Sequence, residues 1–248
     1  MNLALDIGNT RTKIGLFRGA ALVEQTVWTD WTGAELMAYS EQAGVERIIL
    51  SSVVEGDEVL HDLLSERFEV VEFTPTTSLP FENQYQTPRT LGKDRLAAVA
   101  GARALYPAHD CLVIDCGTCI KYEWLTSDGI YHGGNIAPGA NMRIRAMHHF
   151  TARLPEVPLE MPVDAVGQST QTALQNGALR GAVLEMEGFV RLFQTKSSRL
   201  QVLLTGGDAG FFAPHLNIID LKIEPHLTLL GLNYILLYVV SFSAQRRI

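Results

Sequence analysis

Residues 3–10 read Leu3-Ala-Leu-Asp6-Ile-Gly8-Asn-Thr10, and residues 112–118 read Leu112-Val-Ile-Asp115-Cys-Gly117-Thr118. Allowing one residue of gap, each is an apolar strand, then Asp-x-Gly, then a hydroxyl residue. Apolar alternation resumes after each turn, over residues 12–18 (Ile14, Leu16) and from Ile120 to Leu125. Strand, tight polar turn and strand make a hairpin. The two aspartates stand 109 residues apart in a chain of 248, and a repeat at about half the chain length implies two similar lobes. The boundary is expected around Tyr106-Pro107-Ala108, giving lobes of 1–108 and 109–248. No low-complexity tract or flexible linker separates them, so closely packed lobes are expected.

Outward from the hairpins, residues 22–28 suit a third strand. Thr32 to Ala43 reads as a helix, with Thr32 as its cap and Gly44 as its stop. Arg47 to Val53 reads as a strand, Val59 to Arg67 as a helix and Glu69 to Phe73 as a strand. Thr74 to Arg89 has no period and holds three prolines, so a loop is expected. Leu96 to Leu105 is strongly helical. In the second half, Gly133 to Gly139 reads as a Gly-rich turn, 140–150 as a helix, and Thr170 to Gln194 as a long helical region. Leu200 to Leu204 is a strand that ends in Thr205-Gly-Gly-Asp208. Strands followed by helices in each half argue for an α/β architecture, each lobe a mixed sheet with flanking helices.

Composition narrows the function classes. A chain that is 47% hydrophobic and 19% charged is an ordinary globular protein. With 20 basic against 27 acidic side chains, the formal charge is −7, which disfavours a nucleic-acid partner. Cys111, Cys116 and Cys119 are an odd count clustered in nine residues. A disulfide framework is not expected, and a reducing cytoplasm fits best. Cys116-x-x-Cys119 has a zinc-like spacing but no second ligand pair, so core thiols are expected. The opening MNLALDIGNT has no basic segment before its strand, so no secretory leader is expected. Leu227 to Ala244 is apolar enough to be considered for a membrane span. It holds Thr228, Asn233 and two serines, with Glu224 before it and Arg246 and Arg247 after. A buried final helix, in its own lobe or at a subunit interface, is the expectation, and no membrane partner.

The turns carry chemistry. Gly8 removes side-chain bulk, so backbone N–H groups can approach phosphate oxygens. Asn9, Thr10 and Thr12 add side-chain donors, Lys13 adds charge, and Asp6 can hold Mg²⁺ directly or through its water shell. One polar hairpin tip is weak support; two at half-chain spacing, with a third Gly-rich turn at Thr205-Gly-Gly, are much stronger. No Gly-x-x-x-x-Gly-Lys-Ser/Thr is present, which excludes a P-loop. Gly92-Lys-Asp94-Arg95 opens the helix from Leu96, and spacing leaves two readings open. Asp94 serves the helix dipole, or it accepts a proton from a substrate hydroxyl with Arg95 beside it for an anionic or carbonyl group.

DIGNTRTK at 6–13, LGKDRLAAVAGA at 91–102, DCGT at 115–118, GGNIAPG at 133–139, GQSTQTALQNG at 167–177 and LTGGD at 204–208 together resemble the type III pantothenate kinases. These belong to the superfamily of acetate and sugar kinases, heat-shock chaperones and actin. The resemblance spans nearly the whole chain in the family's order. It implies two actin-like (ribonuclease H-like) lobes with a nucleotide cleft between them, and ATP-dependent phosphorylation of pantothenate, the first step of coenzyme A biosynthesis, by a homodimer. It implies ATP binding by Asp6, Ile7, Gly8, Asn9, Thr10, Arg11, Thr12, Lys13 and Thr118, with Mg²⁺. Asp94 would be the proton acceptor. Tyr85, Gly92, Lys93, Asp94, Arg95 and Thr170 would line the pantothenate site, and Asp115 would hold a monovalent cation, K⁺ or NH₄⁺. Such an ion would relieve repulsion among Asp6, Asp94, Asp115 and the anionic substrates. Cys119 departs from the family, which usually has Ala there.

Three other classes compete. One is a sugar or acetate kinase of the same superfamily, for which 248 residues is short. Another is a nonenzymatic nucleotide-binding regulator on this fold, against which Asp6, Lys13, Asp94 and Asp115 argue. The third is a metal-dependent nuclease, which needs carboxylates converging on two metals.

Overall fold

The strand pairing repeats along with the sequence. In the computed structural model, which describes residues 1–52 and 57–245, one sheet has the order β3-β2-β1-β4-β5. Its strands are β1 (Asn2–Ile7), β2 (Thr12–Arg18), β3 (Ala21–Trp28), β4 (Arg47–Ser52) and β5 (Glu69–Glu72). The other sheet contains β9-β8-β7-β10-β11 in that order: β7 (Asp110–Cys116), β8 (Cys119–Leu125), β9 (Ile130–Pro138), β10 (Leu200–Thr205) and β11 (Lys222–Ile223). In each, a hairpin pairs antiparallel (β1 with β2, β7 with β8), and the first strand of that hairpin pairs parallel with a later strand (β4, β10). The two-lobed α/β fold expected from the repeat is thus present. Val53, expected to end the fourth strand, lies outside the described residues, as do Arg246 and Arg247.

The chain separates into two compact units. One comprises Met1–Pro107, Asp128–His132 and the chain from His226 onward; the other comprises Ala108–Ser127 and Gly133–Pro225. In the first, Leu3, Leu5, Ile48 and Leu50 are buried with Leu36 of α1 (Gly33–Gln42) and Leu64 of α2 (Asp57–Ser65). Thr32 caps α1 through a reciprocal bond pair with Glu35, and Gly44 beyond its end adopts φ 63°, both as the sequence indicates. The expected loop 74–89 holds the short β6 (Glu82–Asn83), which pairs parallel with Ile130 and Tyr131 of the same unit. Helix α3 starts at Lys93 (Lys93–Leu105), three residues before the apolar period begins, because Gly92-Lys-Asp-Arg supplies a polar first turn.

In the second unit α4 (Ala140–His149) follows β9. Next, α5 (Thr170–Gln175) continues through a π-helical turn (Asn176–Arg180) into α6 (Gly181–Gln194), the long helical region expected. The short α7 (Ala209–Phe212) follows β10. Leu112, Ile114, Tyr122, Ala178, Met186, Val202 and Leu204 form the core here. Gly133 to Pro138, expected as a turn, is the body of β9 instead. A side chain at Gly134 would lie 1.7 Å from the Tyr122 carbonyl oxygen, so this glycine serves close approach to the neighbouring chain, not a bend.

Helix α8 (Leu227–Gln245) closes the chain. The sequence reading placed it in the lobe 109–248, yet it groups with the first unit, on α3 and on the face of β1, β2 and β4 opposite α1. Two glycines allow this. A Cβ at Gly231 would lie 1.7 Å from the Ala97 carbonyl oxygen, and one at Gly101 would lie 2.3 Å from that of Leu227. Asn233 fixes the register: its amide accepts from Asn2 Nδ2 at 3.0 Å and donates to the Gly19 carbonyl at 2.9 Å. No helix among the described residues is long and apolar enough to cross a membrane. Replacing Asn233 with Leu strands the buried Asn2 donor and is expected to cost about 2 kcal/mol. Urea unfolding reads this directly, and an unchanged midpoint would contradict the role given to the amide pair.

Candidate active site

At the first hairpin the turn closes when Gly8 N–H donates to the Arg11 carbonyl at 3.1 Å. Asn9, Thr10 and Arg11 are exposed, while Asp6 and Lys13 are half-buried and directly opposite each other across β1 and β2. The tip therefore offers backbone and side-chain donors above a carboxylate and an ammonium. Two of the expected phosphate residues have side chains turned to the protein. Thr12 is buried and accepts from Trp31 Nε1 at 2.8 Å, so its hydroxyl braces the strand. Ile7 is a core side chain, leaving only its backbone for a ligand.

The same unit holds most of the expected substrate residues. Gly92 caps α3 without a side chain, and the Asp94 carboxylate folds back over it: a Cβ at Gly92 would lie 2.5 Å from Asp94 Oδ1. Asp94 therefore occupies the first helical turn and remains half-exposed. Dipole stabilisation and service as a base are compatible here, because the helix N-terminus favours the carboxylate as the anion. Arg95 is buried, its guanidinium 5.2 Å from the centre of the Tyr85 ring. Tyr85 in turn stacks on Tyr131 (6.5 Å, 17°), and Asn83 Oδ1 accepts from the Tyr85 N–H at 3.0 Å. Tyr85 and Gly92–Arg95 are thus brought together, and the loose loop around Tyr85 is fixed by contacts. Tyr131 and Asn83 carry no sequence signal for this; they lie on strands whose pairing alone makes them neighbours.

In the second unit three glycine-bearing segments converge on Asp115. The hairpin closes as the first one does, with Gly117 N–H donating to the Cys119 carbonyl at 3.1 Å. Gly139 N–H donates to the Thr118 carbonyl at 3.1 Å, and Asp208 N–H to the Cys116 carbonyl at 2.9 Å. Gly206 takes φ 94°, and a Cβ there would lie 2.4 Å from Asp115 Oδ1. Thr118 is exposed at the tip. The other carboxylate oxygen, Oδ2, accepts from Lys121 Nζ at 2.6 Å. Sequence reasoning missed Lys121, because only the pairing of β7 with β8 sets it directly across from Asp115. A monovalent metal ion at Asp115 thus meets an ammonium already in place, and the donor set does not fit such an ion.

The remaining candidates separate cleanly. Thr170 belongs to the second unit, exposed at the start of α5 next to the Ser169–Thr172 capping pair. Cys111 and Cys116 are buried. Burial, then the charges of Asp115 and Asp208, push the Cys116 thiol far above its usual range, so it stays a protonated core group. His148 Nδ1 lies 2.7 Å from the Leu154 carbonyl, a structural contact. Glu123 is a buried β8 residue.

Against known proteins, the family model for type III pantothenate kinases matches residues 2–192. The chain belongs to that family. It is 41% identical over 239 residues to the type III pantothenate kinase of Phocaeicola vulgatus, covering 96% of this chain and 98% of that one. It is 36% identical over 243 residues to that of Cytophaga hutchinsonii, covering 97% and 100%. Among solved structures, a Campylobacter jejuni protein assigned to the Baf family of transcriptional activators superposes with TM-score 0.65 at 22% identity, covering 96% and 99%. A ROK hexokinase from Thermus thermophilus does so with TM-score 0.53 at 17%, covering 96% and 99%. At those identities the structures speak for the fold alone, the two-lobed α/β fold described above. Because Gly206 combines positive φ with no room for a Cβ, Gly206→Ala should destabilise the chain by about 3 kcal/mol. Equal urea midpoints for the two proteins would refute the crowding described at Asp115.

Proposed function

We propose that the chain transfers the γ-phosphoryl group of ATP to the primary hydroxyl of pantothenate, yielding ADP and 4′-phosphopantothenate, the first step of coenzyme A biosynthesis. Membership of the family supports the reaction, and the observation that carries the substrate side is the Tyr85–Arg95–Asp94 cluster at the start of α3. Phosphoryl transfer asks little covalent chemistry of a protein; positioning and electrostatics dominate. Asp94 accepts the proton of the attacking hydroxyl. Arg95, held by Tyr85, carries the positive charge that an anionic acceptor requires, and the N–H groups of Gly92 and Lys93 lie at the same helix end. Thr170, in the other unit, is the remaining residue that the resemblance assigns to pantothenate. In the first unit the tip from Gly8 to Arg11, with Lys13, is the phosphate-binding element of this reading; in the second unit exposed Thr118 has that role.

Mg²⁺ travels with ATP and neutralises phosphate charge. A single half-buried carboxylate such as Asp6 suits a metal that keeps several waters and takes other ligands from phosphate, so Asp6 would hold it through its water shell. A homodimer in the cytoplasm belongs to the same reading; the resemblance supports the first, and three cysteines that form no disulfide support the second. A monomer by light scattering at micromolar concentration would remove the dimer.

ADP release is the assay, with pantothenate, a sugar and acetate offered in parallel. Turnover with pantothenate alone is expected; preference for another acceptor, or none, would overturn the proposal. Asp94→Asn keeps size and polarity and should lower kcat by about 10²–10⁴ with an unchanged unfolding curve. Near-normal turnover would leave Asp94 a helix-start residue only. Tyr85→Ala removes the aromatic support of Arg95 and is expected to raise the KM for pantothenate more than that for ATP; equal changes in both would contradict the placement of Tyr85 at the acceptor.

A further inference from the structure

One oxygen of the Asp115 carboxylate is engaged by a lysine and the other is crowded by a glycine turn. Oδ1 lies against the Gly206 turn, with no room even for a Cβ between them, and Oδ2 accepts from Lys121 Nζ at 2.6 Å. The pair is mostly shielded, at 17% side-chain exposure for Lys121 and 16% for Asp115. It is not an accident of two long side chains meeting at the surface, because Asp115 and Lys121 are directly opposite in the pairing of β7 with β8. The first hairpin has the same arrangement, Asp6 opposite Lys13. Lys121 is therefore the counterpart, in the repeat, of a lysine at the first phosphate turn.

We propose that Lys121 is the resident monovalent cation of the Asp115 turn, standing where the sequence resemblance calls for K⁺ or NH₄⁺, so that this chain needs neither ion. The proposal rests on the reading of the Asp115–Thr118 turn as part of a phosphoryl-transfer site. A lysine ammonium is a tethered alkylammonium: a compact point charge with three donors. One of its protons engages Asp115. The tether spares the turn from recruiting an ion out of solution, since the charge is delivered by folding. A second cation sharing Oδ2 would stand within a few ångströms of Nζ in a shielded site, where like charges repel far more than in water. The carboxylate can serve the ammonium or a metal ion, and the geometry assigns it to the ammonium. Lys121 thus acts as a positioning residue, neutralising Asp115 and adding one positive charge beside exposed Thr118.

An ordinary cross-strand ion pair would also stabilise the hairpin, and the two roles respond differently to ions. Activity and thermal midpoint are each measured against KCl and NH₄Cl, with choline chloride holding ionic strength constant, for the natural chain and for Lys121→Ala. The natural chain should show a flat response in both readouts; activation more than about threefold by K⁺ would overturn the proposal. Lys121→Ala leaves Asp115 uncompensated beside a space that an ion can enter. In choline its activity should fall about 10²-fold, the usual effect of losing one fixed charge at such a site. K⁺ or NH₄⁺ should restore at least about a tenth of it and raise the midpoint without any substrate present. Normal activity of Lys121→Ala in choline, or a loss that neither ion repairs, would each contradict the exchange of lysine for ion. If Lys121→Ala does not fold, the titration of the natural chain still decides. The substrate-free midpoints keep this test separate from the kinase reading: a chain inactive with pantothenate under every salt would fail that reading, not this one.

Discussion

Room for backbone around a single carboxylate is the constraint on which the second unit depends. Asp115 is the penultimate residue of β7, at the point where the hairpin tip, the entrance to α4 and the exit of β10 converge. Each approaching segment does so through a glycine: Gly117 at the tip, Gly139 before α4, Gly206 after β10. A Cβ at Gly139 would lie 2.3 Å from the Gly117 carbonyl oxygen, and one at Gly206 would lie 2.4 Å from the aspartate itself. The hydrogen bonds of Gly139 and Asp208 to carbonyls of the Cys116–Thr118 segment then close the arrangement. Once the three segments are so close, Thr118 has no alternative to facing outward, and a charge left on Asp115 has to be met locally, which Lys121 does.

The first unit solves a related problem with different means. Its hairpin tip is open, and its carboxylate at Asp6 faces Lys13 across the ladder. The residues proposed for the acceptor stand at the start of α3, and that helix is held from behind by α8 through close glycine contacts at Gly101 and Gly231. Those contacts explain why the most apolar segment of the chain belongs to the first unit: it is the backing of the helix that presents Asp94 and Arg95. Stability and function are therefore linked through α3.

Much of this was legible in the sequence, for identifiable reasons. The hairpins were readable because strand alternation and Asp-x-Gly turns are local signals, and Thr32 and Gly44 marked the ends of α1 by their capping chemistry. The clustering of Tyr85 with Gly92–Arg95 followed from motif resemblance. What failed to show was set by pairing between distant strands. Gly134 looked like a turn residue, and only the Tyr122 carbonyl beside it reveals a strand glycine. The bond from Trp31 Nε1 to the Thr12 hydroxyl also has no local signal. Lys121 and Tyr131 lie in unremarkable strand sequence, and their roles exist only because the register sets them opposite Asp115 and beside Tyr85. Helix α8, apolar on nearly every side, gave no hint of which sheet it would cover.

The most direct test of the central claim is mass spectrometry of the acceptor after incubation with ATP and Mg²⁺, with fragmentation to locate the added group. The account predicts pantothenate carrying one phosphoryl group on its primary hydroxyl, formed in step with ADP, and unmodified sugar and acetate in the same mixture. ATP consumed with pantothenate unaltered, or a phosphoryl group found on another acceptor in preference, would contradict it.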